Sequence, residues 1–98
     1  MEKLRFSWND QKAAANEEKH GVPFEEAVTV FWDENALLLG DPDHSDFEER
    51  FLLLGLSSRL RLLVVCHAVW VDPETIRVIN ARKATKPERT QYLKRLRA

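Results

Sequence analysis

Between Ala36 and Lys83 four apolar runs, ALLLG, ERFLLLGLS, LRLLVVCHAVWV and TIRVINARK, are separated by short clusters of turn-forming residues. The runs are rich in branched and aromatic side chains, which suit a pleated, half-buried surface. Gly40, Asp41, Pro42, Gly55, Ser57, Ser58, Asp72 and Pro73 break them at intervals short enough for hairpins. This pattern predicts about four strands in a mostly antiparallel sheet.

The flanking segments have a helical period. Asn9 or Ser7 can cap a helix through DQKAAANEEKH, whose alanines favour helix and which Gly21 can end in the left-handed region. Pro23 opens a second helix, FEEAVTVF, with Phe24, Ala27, Val28 and Phe31 on one face and Glu25 and Glu26 in the first turn. Near the end, Thr85 and Glu88 form a capping box, Pro87 sits in the first turn, and Leu93 and Leu96 supply the inward stripe. The expected fold is therefore α+β: two N-terminal helices, an approximately four-stranded sheet and a C-terminal helix.

With 98 residues, 44% of them hydrophobic, the chain suits one domain over residues 1–98, because a chain this short does not bury two separate cores. No run approaches the roughly 18 to 20 apolar residues that cross a bilayer, and MEKLRFSWND lacks the apolar stretch of a secretory signal. The expectation is a cytoplasmic protein without membrane contact. Cys66, the single cysteine, lies inside LLVVCHAVW and reads as a small buried hydrophobe.

The formal net charge of −1 conceals a split. Residues 1–50 carry five Lys/Arg against thirteen Asp/Glu, a net of −8, whereas residues 51–98 carry ten against three, a net of +7. Such asymmetry suits a basic surface for a polyanion, although the same charges also serve as ordinary solvated faces. Arg77, Arg82, Lys83, Lys86 and Arg89 follow one another along the last strand and into the last helix, and Arg59 and Arg61 lie in the preceding hairpin. These cations are candidates for RNA binding, with Trp8, Trp70 or Tyr92 available to stack on bases unless the core claims them.

For chemistry the sequence narrows the choice. His20, His44 and His67 are widely separated, no HExxH or paired CxxC occurs, and DPDHSD lacks the glycine and terminal glutamate of an EF-hand loop. There is no phosphate-cradling GxxxxGK[ST] and no GxSxG. No metal and no cofactor is expected, which leaves metal-free acid/base work. His67 lies in the most apolar strand and reads as a core residue, whereas His20 ends a helix beside Gly21, where it can cap the helix or transfer protons.

The segments FSWNDQKAAANEEKHGVPFEEA, DPDHSDFEERFLLLGLSS, LLVV and IRVINARKATKPERTQY resemble, in order and spacing, the BrnT family of type II toxin–antitoxin ribonuclease toxins. The resemblance runs from Phe6 to about Tyr92. It departs from the family's pattern at Asn9, where Trp-Asp is common, at Pro23, where serine is common, and at Asn80, which replaces the serine of Ser-Ala-Arg but leaves Arg82 in place.

The resemblance implies a RelE-like α+β domain and a metal-independent endoribonuclease that cleaves RNA and arrests translation. It also implies a BrnA-like antitoxin, a 2:2 complex, and DNA contact only through the antitoxin. Matched to these motifs, Lys12, His20, Arg50 and Arg82 are the expected catalytic residues: Arg50 and Arg82 for phosphate charge, His20 for proton transfer, and Lys12 for either role. Glu49 is an alternative base, although a glutamate there also reads as a solvated surface residue. A competing class is a catalytically inactive toxin-fold module that acts with the antitoxin as a co-repressor. An independent DNA-binding protein is disfavoured, since no helix-turn-helix is evident.

Overall fold

The computed structural model describes residues 4–40, 49–69, 72 and 74–97. The turn segment around His44 and the stacking candidate Trp70 lie outside the described residues.

A short strand β1 (Arg5–Ser7) leads into helix α1 (Asp10–His20). Asn9 begins that helix as predicted, its side chain accepting from Lys12 N–H at 3.0 Å, and Gly21 ends it at φ 71°. Helix α2 (Phe24–Ala27) follows and tightens at Val28–Trp32 into a 3₁₀ turn. The second predicted helix is thus correct in place but changes type halfway, and Pro23 stands at its cap. Strands β2 (Leu37–Gly40), β3 (Phe51–Leu56), β4 (Leu62–Val69) and β5 (Thr75–Lys83) occupy the four apolar runs, and helix α3 (Lys86–Arg97) closes the described chain.

The sheet has five strands rather than four, in the order β1-β5-β4-β3-β2. Strands β2 to β5 pair antiparallel, and β1 adds a parallel edge with Arg5 opposite Thr75 and Ser7 opposite Arg77. Three residues are too few to show a period, so β1 is legible only from its partner strand. The ion pair of Arg5 with Asp72 at 2.6 Å holds its outer end.

One side of the sheet carries the larger core, in which Val22, Phe24, Ala27 and Val30 pack on Leu63, Val65, Val78 and Ala81. The smaller core joins Leu54 and Val64 to Tyr92 of α3. Here the expected inward stripe is corrected: Leu93 and Leu96 are half exposed, and Tyr92 faces the sheet instead. Its hydroxyl donates to Asp33 Oδ2 at 2.6 Å, which gives a buried aromatic a polar partner and turns the neighbouring leucines outward. A Cβ added to Gly55 would stand 2.8 Å from Val30 Cγ1, so the 3₁₀ turn approaches β3 too closely for any side chain there.

Candidate functional site

Parallel pairing with β1 ends at Arg77, which leaves the later residues of β5 on the sheet's edge without a neighbouring strand. Asn16 of α1 takes that place. Its carboxamide donates to Ala81 C=O at 2.9 Å and accepts from Ala81 N–H at 3.0 Å, as a strand's peptide group would. A further N–H goes to Val22 C=O at 3.0 Å, so a buried side chain satisfies both the sheet edge and the turn after α1. Helix α1 is thereby fixed against β5.

That anchoring creates a cleft of about 480 Å³ in which Lys12, Lys19 and His20 of α1 meet Arg50, just ahead of β3, and Ile79 and Asn80 of β5. Three of the four expected catalytic residues, Lys12, His20 and Arg50, converge there. Lys19 joins them without having been singled out. Its signal was available, since residues 12, 16, 19 and 20 follow the three-and-four spacing of a single helix face. Glu49 is exposed and does not line the cleft.

Arg82 is placed elsewhere. Its guanidinium forks onto Glu88, with Nη1 to Oε1 at 2.8 Å and Nη2 to Oε2 at 3.0 Å. The hydrogen bonds from Arg82 hold the Glu88 carboxyl down to about 2, assisted by the Thr85 cap, while Glu88 in turn raises Arg82. The capping box forms as predicted, with Thr85 N–H donating to Glu88 Oε1 at 2.8 Å and Glu88 N–H to Thr85 Oγ1 at 3.4 Å. Arg82 therefore ties β5 to the start of α3. The sequence could not separate this role from phosphate binding, because a guanidinium fork fits a carboxylate and a phosphate alike.

The candidate RNA-binding cations also divide. Arg61 is committed to the buried Glu26, whose Oε2 accepts from Arg61 Nε at 2.9 Å and from Ser57 Oγ at 2.7 Å, and Arg61 also reaches Gly21 C=O at 3.0 Å. These hydrogen bonds, Arg61 first, keep the Glu26 carboxyl below its ordinary range despite its burial. Arg59 extends outward, its guanidinium 3.9 Å from Glu26. Arg77 lies opposite Ala68 on β5. Lys83 and Arg89 line a second cavity, beside α3, and Lys86 is exposed at that helix's start. The basic residues thus form more than one surface.

The two described aromatic candidates, Trp8 and Tyr92, pack against the core. Trp8 packs edge-on against Phe24 with centroids 5.7 Å apart, and Tyr92 is buried against Asp33. His67 is buried between Phe31 and Phe51, with Nδ1 3.2 Å from Val65 C=O, and Cys66 is buried beside it. Burial pushes the His67 imidazole below its ordinary value, as expected for a neutral core histidine.

A mixed five-stranded sheet with helices on both faces places the chain among small α+β domains, and the same architecture occurs in a solved toxin. The crystal structure of the Brucella abortus ribonuclease toxin, BrnT, aligns with a TM-score of 0.64 and 23% identity, over 86% of this chain and all of that one. The family model described as ribonuclease toxin, BrnT, of type II toxin-antitoxin system matches residues 8–88, and the chain belongs to that family. No curated protein matches the sequence significantly. Family membership brings with it the class of ribonuclease toxins and an antitoxin partner.

Proposed function

We propose that this chain is a metal-independent endoribonuclease that inhibits translation by cutting RNA in the cleft between α1 and β5, and that a BrnA-like antitoxin neutralises it in a 2:2 complex that meets DNA only through the antitoxin. The observation that carries this reading is the convergence of Lys12, Lys19, His20 and Arg50 on one concave surface. Among the described residues its lining holds no carboxylate, and its cations disfavour a divalent cation.

Such a set suits cleavage by the RNA's own 2′-hydroxyl. The 2′-oxygen attacks the adjacent phosphorus as its proton passes to a base, the P–O5′ bond breaks, and the departing 5′-oxygen takes up a proton. His20 serves the proton transfers, with Lys12 as its partner or as a phosphate contact. Arg50, and Lys19 beside it, offset the charge that gathers on the phosphoryl oxygens in the transition state. Arg82, two residues beyond Asn80 on β5, braces the start of α3 through Glu88.

The deciding experiment is cleavage of RNA in excess EDTA by the purified chain and by folded Lys12→Ala, His20→Ala and Arg50→Ala. The wild type is expected to cut, and each variant to lose about 10²- to 10³-fold in rate. A folded wild type that cuts neither free RNA nor RNA on translating ribosomes would instead identify a co-repressor module.

A further inference from the structure

A second cavity, of about 670 Å³, opens between α3 and the hairpin that joins β3 to β4. Tyr92 and Leu62 form part of its wall, and Leu60, Leu93 and Leu96 stand at it exposed by 78%, 54% and 49%. Three leucines in contact with water around one concavity are the usual mark of a surface that a partner covers. It shares no lining residue with the cleft of Lys12, His20 and Arg50.

Leu60 is the most unusual of the three. It holds φ 63°, a left-handed conformation that a leucine rarely adopts, at the tip of the hairpin. The turn is pinned from several directions: Leu60 N–H to Ser57 C=O at 2.9 Å, Ser57 N–H to Arg61 C=O at 2.8 Å, and Ser58 N–H to Thr29 Oγ1 at 2.8 Å. A fold that spends backbone strain and three hydrogen bonds on holding an apolar side chain in water has pre-ordered an anchor for binding.

Charge selects the occupant. Lys83 and Arg89 line the same groove, while Asp33, its one carboxylate among the described residues, already accepts from Tyr92 O–H, Leu56 N–H and Asn35 N–H. Leucines do not stack on bases, and the aromatic ring here is buried with its hydroxyl engaged, so the groove is poorly made for RNA. A second copy would bring its own basic groove into like-charge contact. We infer that the groove between α3 and the β3–β4 hairpin binds an acidic amphipathic segment of the antitoxin, with Leu60, Leu93 and Leu96 as its apolar contacts and Lys83 and Arg89 as its charged ones. This rests on the toxin reading above and adds that the antitoxin grips a surface distinct from the cleft.

The test measures calorimetric affinity of the full chain for the antitoxin encoded in its operon, using wild type, Leu60→Gly and the double variant Leu93→Asp/Leu96→Asp. Leu60→Gly relieves the left-handed backbone and so preserves the fold, which guards against misreading a misfolded charge variant. Both are expected to weaken antitoxin binding roughly 30-fold or more while cleaving RNA at the wild-type rate, leaving cells poisoned despite the antitoxin. Unchanged antitoxin affinity in both variants overturns the inference. So does lost RNA cleavage with antitoxin affinity intact, which would make the groove an RNA surface, or dissociation of a self-dimer with that affinity intact. If the wild type cleaves no RNA and the leucine variants still lose the antitoxin, the nuclease reading falls and the groove assignment stands.

Discussion

Arg82 and Glu88 form a two-pronged ion pair, at 2.8 and 3.0 Å, across the junction of β5 and α3, six residues apart in sequence. The same carboxylate accepts the Thr85 N–H, so one side chain caps a helix and receives a strand's guanidinium. The arginine that the resemblance assigns to phosphate charge is engaged by this carboxylate in the free chain.

This pair predicts an acid-sensitive contribution to stability. Glu88 lies near 2 in the folded chain against 4.5 when unperturbed, so it stabilises fully above 4.5 and the contribution disappears as pH falls towards 2. With the pair partly open to solvent, Glu88→Gln is expected to cost about 1 kcal/mol at pH 7 and to flatten the urea-midpoint profile between those values. Arg82→Ala should cost about the same, with RNA cleavage retained by the folded fraction. Loss of cleavage in a fully folded Arg82→Ala protein would return this arginine to the site.

Asn16 bears on both the fold and the cleft. Asn16→Ala leaves the Ala81 N–H and C=O and the Val22 C=O without their side-chain partner at the edge of β5. The expected loss is about 2 to 3 kcal/mol in chemical denaturation, with amide exchange at Ala81 accelerated. Asn16→Asp keeps the acceptor for Ala81 N–H but supplies no N–H donors, so it should fall short of full rescue.

Gly55 tests how tightly the 3₁₀ turn lies on the sheet. Gly55→Ala places a methyl against Val30, Ala36 and Asp33, and is expected to destabilise the chain by about 1 to 3 kcal/mol. The companion change Val30→Ala, which vacates the nearest clashing atoms, should recover part of the loss in a double-mutant cycle.

His67 gives stability a dependence on pH near neutrality. Its folded value is depressed by burial, so between that value and the unfolded one of about 6.5 the unfolded chain binds more protons, and stability rises with pH. The urea midpoint should therefore fall on going from pH 7 to pH 5.5, and His67→Phe, which keeps an aromatic ring between Phe31 and Phe51, should remove that part of the slope. An unaltered slope would remove His67 as its source.

The alternation of apolar runs with turn residues located β2 to β5, and the Asn9, Gly21 and Thr85–Glu88 signals located the ends of α1 and α3, because these depend on contacts a few residues apart. Lys12, Lys19 and His20 share a helix face for the same local reason. Strand β1 and the turn of Leu93 and Leu96 towards solvent depend instead on partners dozens of residues away. Charge and hydrophobicity identify which side chains are able to bind phosphate or fill a core. Which of them do so is decided by pairing register and by neighbours such as Glu88, Glu26 and Asp33, which engage Arg82, Arg61 and Tyr92 once the chain has closed on itself.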